Sequence, residues 1–125
     1  MADQVITHSH KDLIVWQKSM DLVVAVYKLT EKFPKSELYG ITSQMRRCSV
    51  SIPSNIAEGR KRGGAKEYRQ FLIIAISSAV ELETQIELSK RLGFAKVDEC
   101  KRIDSLLTEV LKMLTQMIKT LSPNT

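Results

Sequence analysis

Apolar residues recur along the chain in steps of three and four, the spacing that places them on one face of an α-helix. From Leu13 they fall at Trp16, Met20, Val23 and Tyr27, and a second stripe runs through Val15, Leu22, Val26, Leu29 and Phe33. Two stripes on one segment predict a helix with a wide buried face. Phe33-Pro34 ends it, because the residue before a proline is pushed out of the helical region. Ser36 is placed to cap a second helix, whose seam reads Leu38, Ile41, Met45, Cys48 and Ile52. A third begins after Gly63-Gly64 with Tyr68, Leu72, Ala75, Ala79, Leu82, Ile86 and Ser89, and Gly93 punctuates its end. The fourth runs from about Val97 to Leu121 on Ile103, Leu107, Val110, Leu114, Met117 and Leu121, with Pro123 beyond its stop. No segment carries the alternation of a strand.

Four helices with short connections predict an all-α fold, an antiparallel up-down four-helix bundle over residues 11–122, because short links force neighbouring helices to run in opposite directions. Residues 1–10 and 123–125 are read as tails. Aliphatic residues also lie outside the seams, Ile73, Ile74, Ile76 and Val80 on the third helix and Leu106, Leu111, Met113 and Ile118 on the fourth. One small bundle has difficulty covering them all, so a homo-oligomer is expected.

The regular pattern breaks in the stretch "SIPSNIAEGRKRGGAKEYR". Pro53 lies inside the second helical pattern, where it removes a backbone hydrogen bond and crowds the carbonyl of Ser49, so a bend is expected there. The seam continued past it falls on Asn55 and Gly59. Asn55 is placed to hydrogen-bond across the bundle, and Gly59 either to admit a neighbouring backbone or to close the helix in a left-handed conformation. Ser51, Asn55 and Glu58 share roughly one helical face.

Charge changes the picture because it is localised. The segments before Arg46 and after Ser77 each balance, while Arg46, Arg47, Arg60, Lys61, Arg62, Lys66 and Arg69 against Glu58 and Glu67 carry the whole net charge of +5. A solubilising face is the plain reading of such a run. An anion-binding surface for phosphate backbones or acidic proteins is the sharper one. Arg46 and Arg47 sit within a helix and have Glu81, Glu83 and Glu87 of the third helix as alternative partners.

The chain of 125 residues, 43% of them hydrophobic, fits one domain that buries a core without disulfides or metal. Cys48 and Cys100 lie in apolar helical patterns with no secretory signal ahead of them, and are read as reduced thiols in a cytoplasmic protein. The longest uncharged stretch, Gln70 to Val80, spans 11 residues, short of the ~20 needed to cross a bilayer.

Catalytic readings find little support. The glycines from Gly59 to Gly64 ahead of Lys66 have the spacing of a phosphate-binding loop, but Gly-Ala-Lys-Glu stands where Gly-Lys-Ser/Thr is required, and no strand precedes it. His8 and His10 lack a third metal ligand, and no histidine or lysine is placed to activate Ser51 as a nucleophile. No cofactor or metal is expected, and the chain is read as non-enzymatic.

The run "ITSQMRRCSVSIPSNIAEGRKRGGAKEYRQFL" followed by "ELETQIELSKRLGF" resembles the 23S rRNA intervening sequence proteins. The shared residues are Gln44, Arg46, Arg47, Ser51, Ile52, Asn55, Ile56, Ala57, Glu58 and Gly59, and the likeness extends to the upstream tryptophan and "FPKSEL", covering roughly residues 10–121. The chain has Ile76-Ser77 where the family often has Gly-Ser, a change expected to alter helix packing rather than fold. A related group is formed by the accessory variability proteins of diversity-generating retroelements. The resemblance implies a bacterial homo-oligomer, a pentamer, with RNA or DNA as ligand and a reverse transcriptase or other protein as partner.

Two functions follow from these readings. In one, an oligomeric accessory protein contacts nucleic-acid backbones through Arg46, Arg47, Arg60, Lys61, Arg62, Lys66 and Arg69, with Ser51, Pro53, Asn55, Glu58 and Gly59 as a structural motif. Tyr68 alone accompanies the basic loop as an aromatic, so backbone contacts are expected over base reading. In the other, the basic surface docks an acidic protein and nucleic acid binds little.

Overall fold

The computed structural model describes residues 9–121. Among these, helix α1 spans Ile14–Thr30, α2 Ser43–Arg62, α3 Ala65–Arg91 and α4 Lys101–Thr120. Short 3-10 turns precede α1 at His10–Asp12, follow it at Lys35–Glu37, and lead into α4 at Asp98–Cys100. No strand is present among the described residues. α1 packs on α2 and α4, and α3 packs on the same two. Cross-helix contacts step up α2 as they step down α3: Ser89 Oγ lies 3.4 Å from Met45 Sδ, Gln85 Nε2 3.5 Å from Cys48 Sγ, and Ser78 Oγ 2.8 Å from Ser51 Oγ.

The core lies along the predicted seams. Val15, Leu22, Val26, Leu29 and Phe33 are buried, whereas Met20 and Tyr27 on the other stripe of α1 are exposed. On α3, all the seam residues from Leu72 to Ser89 are buried and Tyr68 is half-buried. α4 buries Ile103, Leu107, Val110 and Leu114 and adds Leu106. The surplus aliphatics therefore divide: those of α4 are buried or half-buried, while Ile73, Ile74 and Val80 of α3 stay exposed at 40 to 47%.

The start of the second helix departs from the sequence reading. Residues Leu38–Thr42 form a π-helical stretch containing Gly40 at φ −110°, ψ −120°, and regular α-helix begins only at Ser43. The cap is Glu37, whose carboxylate accepts the Ile41 amide at 3.4 Å, and not Ser36. Leu38, read as a seam position, is accordingly exposed. From Ile52 across Pro53 the seam runs on to Ile56 and Gly59, all buried, so Asn55 stands at the edge of the core rather than in it. Pro53 itself is buried within an uninterrupted α2.

The N-terminal segment also orders earlier than expected. Ser9 caps the first 3-10 turn through Lys11 N–H at 3.1 Å, and the His10 ring meets Trp16 edge-on at 5.1 Å. His8 and Pro123 lie outside the described residues. Cys48 and Cys100 are buried free thiols, and burial pushes both thiol pKa values upward.

Candidate functional site

Two features of the same helix divide the "SIPSNIAEG" stretch. One stripe of α2, Met45, Cys48, Ile52, Ile56 and Gly59, enters the core. The adjacent stripe, Gln44, Ser51, Asn55 and Glu58, follows the seam with α3 at steps of four and three. Asn55 Nδ2 donates to the Ser51 carbonyl at 2.8 Å and to Ser51 Oγ at 2.9 Å. Ser51 and Ser78 share a hydrogen bond at 2.8 Å. Asn55 thus reaches α3 through Ser51 rather than by a bond of its own. Glu58 continues the stripe and pairs with Arg62 at 2.9 Å. A groove of about 330 Å³ opens beside Ser51, lined by Gln44, Arg47, Cys48, Ser51, Ser78 and Glu81.

At Gly59 α3 approaches α2 closely. A Cβ built there would stand 2.7 Å from Phe71 Cβ and 3.0 Å from Tyr68 Cδ1. Close approach is therefore its role, and the left-handed closure of α2 falls to Gly63 at φ +88°. Gly64 is extended and precedes α3 without any side-chain cap, so the first amides of α3 keep no side-chain acceptor at the positive end of the helix.

The seven basic residues do not form one surface. Arg46 is drawn into the fold: its Nε donates to Thr30 Oγ1 at 2.9 Å, its Nη2 to the Tyr27 carbonyl at 3.4 Å, and its guanidinium lies 4.5 Å over the Tyr27 ring. Its partners are on α1, and the carboxylates of α3 are not among them. Arg47 is exposed beside Glu81 in the groove, about 20 Å along α2 from Arg60 at 1.5 Å per residue. The other five gather around the α2–α3 turn. Lys61 and Lys66 are exposed, Arg60 is half-buried, and Arg62 lies 5.4 Å over Phe71 while paired with Glu58. Arg69 is half-buried, with Nε enclosed and without a hydrogen-bond partner among the described residues.

The fold adds residues that the charge pattern did not indicate. Ser9, His10 and Lys11 line a cavity of about 730 Å³ together with Arg60, Lys61 and the Gly63-Gly64 turn. Lys11 belongs to a segment of balanced charge, remote in sequence from the turn, and only packing of the N-terminal turn beside the start of α3 unites them. Tyr68 borders this cavity and a second, apolar groove of about 560 Å³. Burial raises its phenol pKa, an effect offset in part by the charge of Arg60, and its hydroxyl has no partner among the described residues. Among those residues no cluster of three or more His, Cys, Asp or Glu side chains is arranged to hold a metal ion, and no helix is long and apolar enough to cross a membrane.

The family profile of the 23S rRNA-intervening sequence protein matches residues 11–116. The fold is similar to a crystal structure of a protein of unknown function from the S23 ribosomal protein family of Bacteroides thetaiotaomicron, at 27% identity and a TM-score of 0.76, over 85% of this chain and 99% of that one. No curated protein matches the chain.

Proposed function

The chain belongs to the 23S rRNA-intervening sequence protein family, and on that premise we propose that it is a non-enzymatic nucleic-acid-binding accessory protein, an up-down bundle working as a homo-oligomer. The observation that carries this reading is the convergence of Arg60, Lys61, Arg62, Lys66 and Arg69 on one turn, joined there by Lys11. These charges stand beside the uncapped amino end of α3, where helix geometry favours anions. Arg46 leaves the contact set because its guanidinium is committed to α1. Arg47 lies too far along α2 to share a phosphate with the turn.

Oligomerisation rests on the outward face of α3. Ile73, Ser77, Val80 and Thr84 form an exposed stripe whose two hydroxyls are taken up by the helix's own carbonyls, Ser77 donating to the Ile73 carbonyl at 3.1 Å and Thr84 to the Val80 carbonyl at 3.2 Å. Such a face suits contact with another helix, and assembly would bring several basic turns onto one strand. Light scattering is expected to give several times 14.2 kDa, close to a pentamer.

Titration of labelled RNA and DNA at several salt concentrations tests the binding. Replacing Arg60, Lys61 and Arg62 with alanine should weaken all strands and flatten the salt dependence, whereas replacing Lys112 and Lys119, exposed on α4, should do much less. Each phosphate neutralised contributes a slope of about −0.9 in log K against log salt on B-DNA. A pentamer using one contact per subunit would approach about −4 to −5. Equal losses from both sets, or no binding at low salt, would reject the localised surface and favour docking of an acidic protein.

A further inference from the structure

The cavity at the α2–α3 turn and the apolar groove beside it meet at Arg60, Tyr68 and Leu121, which border both. They differ in chemistry. The first is lined by Lys11, Lys61, Arg60 and the Gly63-Gly64 backbone ahead of the uncapped α3. The second is walled by Leu13, Ile14, Met113 and Met117, with Gln116 and Asp12 beside them. A ligand spanning the two needs an anionic group joined directly to a flat or apolar one. From these adjoining lobes we propose that the site takes single-stranded nucleic acid, seating a phosphate in the basic lobe and one unpaired base in the apolar lobe. This deepens the nucleic-acid reading above and rests on it.

The orientation follows from charge. Asp12 offsets Arg60 at the apolar lobe, whereas Lys11 and Lys61 add to Arg60 in the neighbouring cavity and favour a phosphate there. An unpaired base offers the flat apolar faces that the groove can cover, and the methionine thioethers adapt to any of the four. Gln116 presents both a donor and an acceptor to a base edge. A base held in a duplex is stacked and paired, so entering the groove would require it to be unstacked first. The site therefore prefers single strands, with little distinction between sequences, since stacking and apolar coverage are available to every base.

The test compares three probes of equal length on the full chain by fluorescence anisotropy: oligothymidine, the same strand made entirely of abasic tetrahydrofuran units, and a duplex. All three carry the backbone charge, but only the first offers unpaired bases. Oligothymidine is expected to bind at least about fivefold more tightly than the abasic strand, and more tightly than the duplex at equal phosphate number. Met113→Gln with Met117→Gln should bring oligothymidine down to the level of the abasic strand. Equal affinity of the wild-type chain for base-bearing and abasic strands overturns the base lobe while leaving the charged surface standing. Retention of the preference in the double variant also overturns it. Failure of every strand to bind overturns this proposal together with the nucleic-acid reading, and binding of dodecyl phosphate in that case would assign the two lobes to an anionic amphiphile instead.

Discussion

The two ends of α2 carry the same kind of charge and use it differently. At its start, Arg46 bonds to Thr30 and the Tyr27 carbonyl and lies on the Tyr27 ring, so its charge serves the packing of α1 on α2. At its end, Lys61 is exposed and Arg62 remains half in solvent above Phe71. The difference arises from what stands opposite. α1 offers a hydroxyl, a carbonyl and an aromatic face at the right depth, while the α2–α3 turn offers two glycines and a helix that lacks a cap. A cation whose hydrogen bonds are met within the fold is structural. At the turn Arg62 is met by Glu58 and Phe71, whereas Lys61 and Lys66 stand exposed, and in the proposed function these two ammonium groups are the ones offered to an external anion.

The sharpest way to break this contrast is to disturb the packing that places the turn. Gly59→Val would force a side chain into the space held by Phe71, where even a Cβ stands at 2.7 Å, and should cost about 2 to 3 kcal/mol in denaturant unfolding. Gly63→Ala meets no neighbour within 4 Å but must hold a left-handed conformation, at a cost of about 1 to 2 kcal/mol. Equal losses at the two glycines would remove the distinction between close approach and helix closure.

A smaller effect separates the two kinds of cation directly. Arg46→Met should cost about 1 to 2 kcal/mol through the lost hydrogen bonds and ring contact, with ligand affinity retained once the protein is folded. Lys61→Met should change stability by less than about 0.5 kcal/mol and weaken binding. The reverse assignment in thermal melts and titrations would show that the ends had been misread.

The smallest effect concerns pH. The Tyr68 phenol pKa is raised by burial, and the Lys90 ammonium pKa is raised chiefly by its hydrogen bond to Asp104 at 2.9 Å. For both groups the folded value exceeds the unfolded one, so their contributions are fully present below the unfolded pKa and decline as pH rises through the folded pKa. Stability should therefore fall above about pH 10. Tyr68→Phe removes a buried hydroxyl without a partner and should raise stability by up to about 1 kcal/mol, while Lys90→Met should lower it. Both variants should show a shallower alkaline decline in melting temperature than the parent. An unchanged decline in Tyr68→Phe would mean that its phenol titrates alike in both states.

How much was legible in sequence depended on how local the cause was. The α3 seam from Leu72 to Ser89 was read residue by residue, because a helix without breaks preserves one period throughout. Past Pro53 the same rule continued the seam onto Asn55 and Gly59; Gly59 is buried as read, but Ile56 takes the core position in place of Asn55, which depends on where α3 lies. The π-helical stretch at Leu38–Thr42 shifted the register at the start of α2, which a regular period cannot anticipate. At the site, the five basic residues of the turn were visible because they are neighbours in sequence. Lys11 was not, since its proximity is created by tertiary packing, and the contacts of Arg46 with Thr30 and Tyr27 of α1, in place of the α3 carboxylates expected for it, were not either, because they lie on another helix.

The two buried cysteines make the chain a reporter of its own fluctuations. Cys48 lies in α2 against Gln85 of α3, whereas Cys100 closes the turn leading into α4. A thiol reagent can modify Cys100, 0% exposed, only after its surroundings open, whereas Cys48 borders the groove beside Ser51 and Glu81; raised thiol pKa values slow the reaction of both in the closed state. Their labelling rates thus report on two different helix boundaries, access to the α2–α3 groove at Cys48 and opening of the turn into α4 at Cys100. If a bound strand clamps the α2–α3 turn, protection should rise at Cys48 more than at Cys100, and the ratio of the two rates would register occupancy without any added probe.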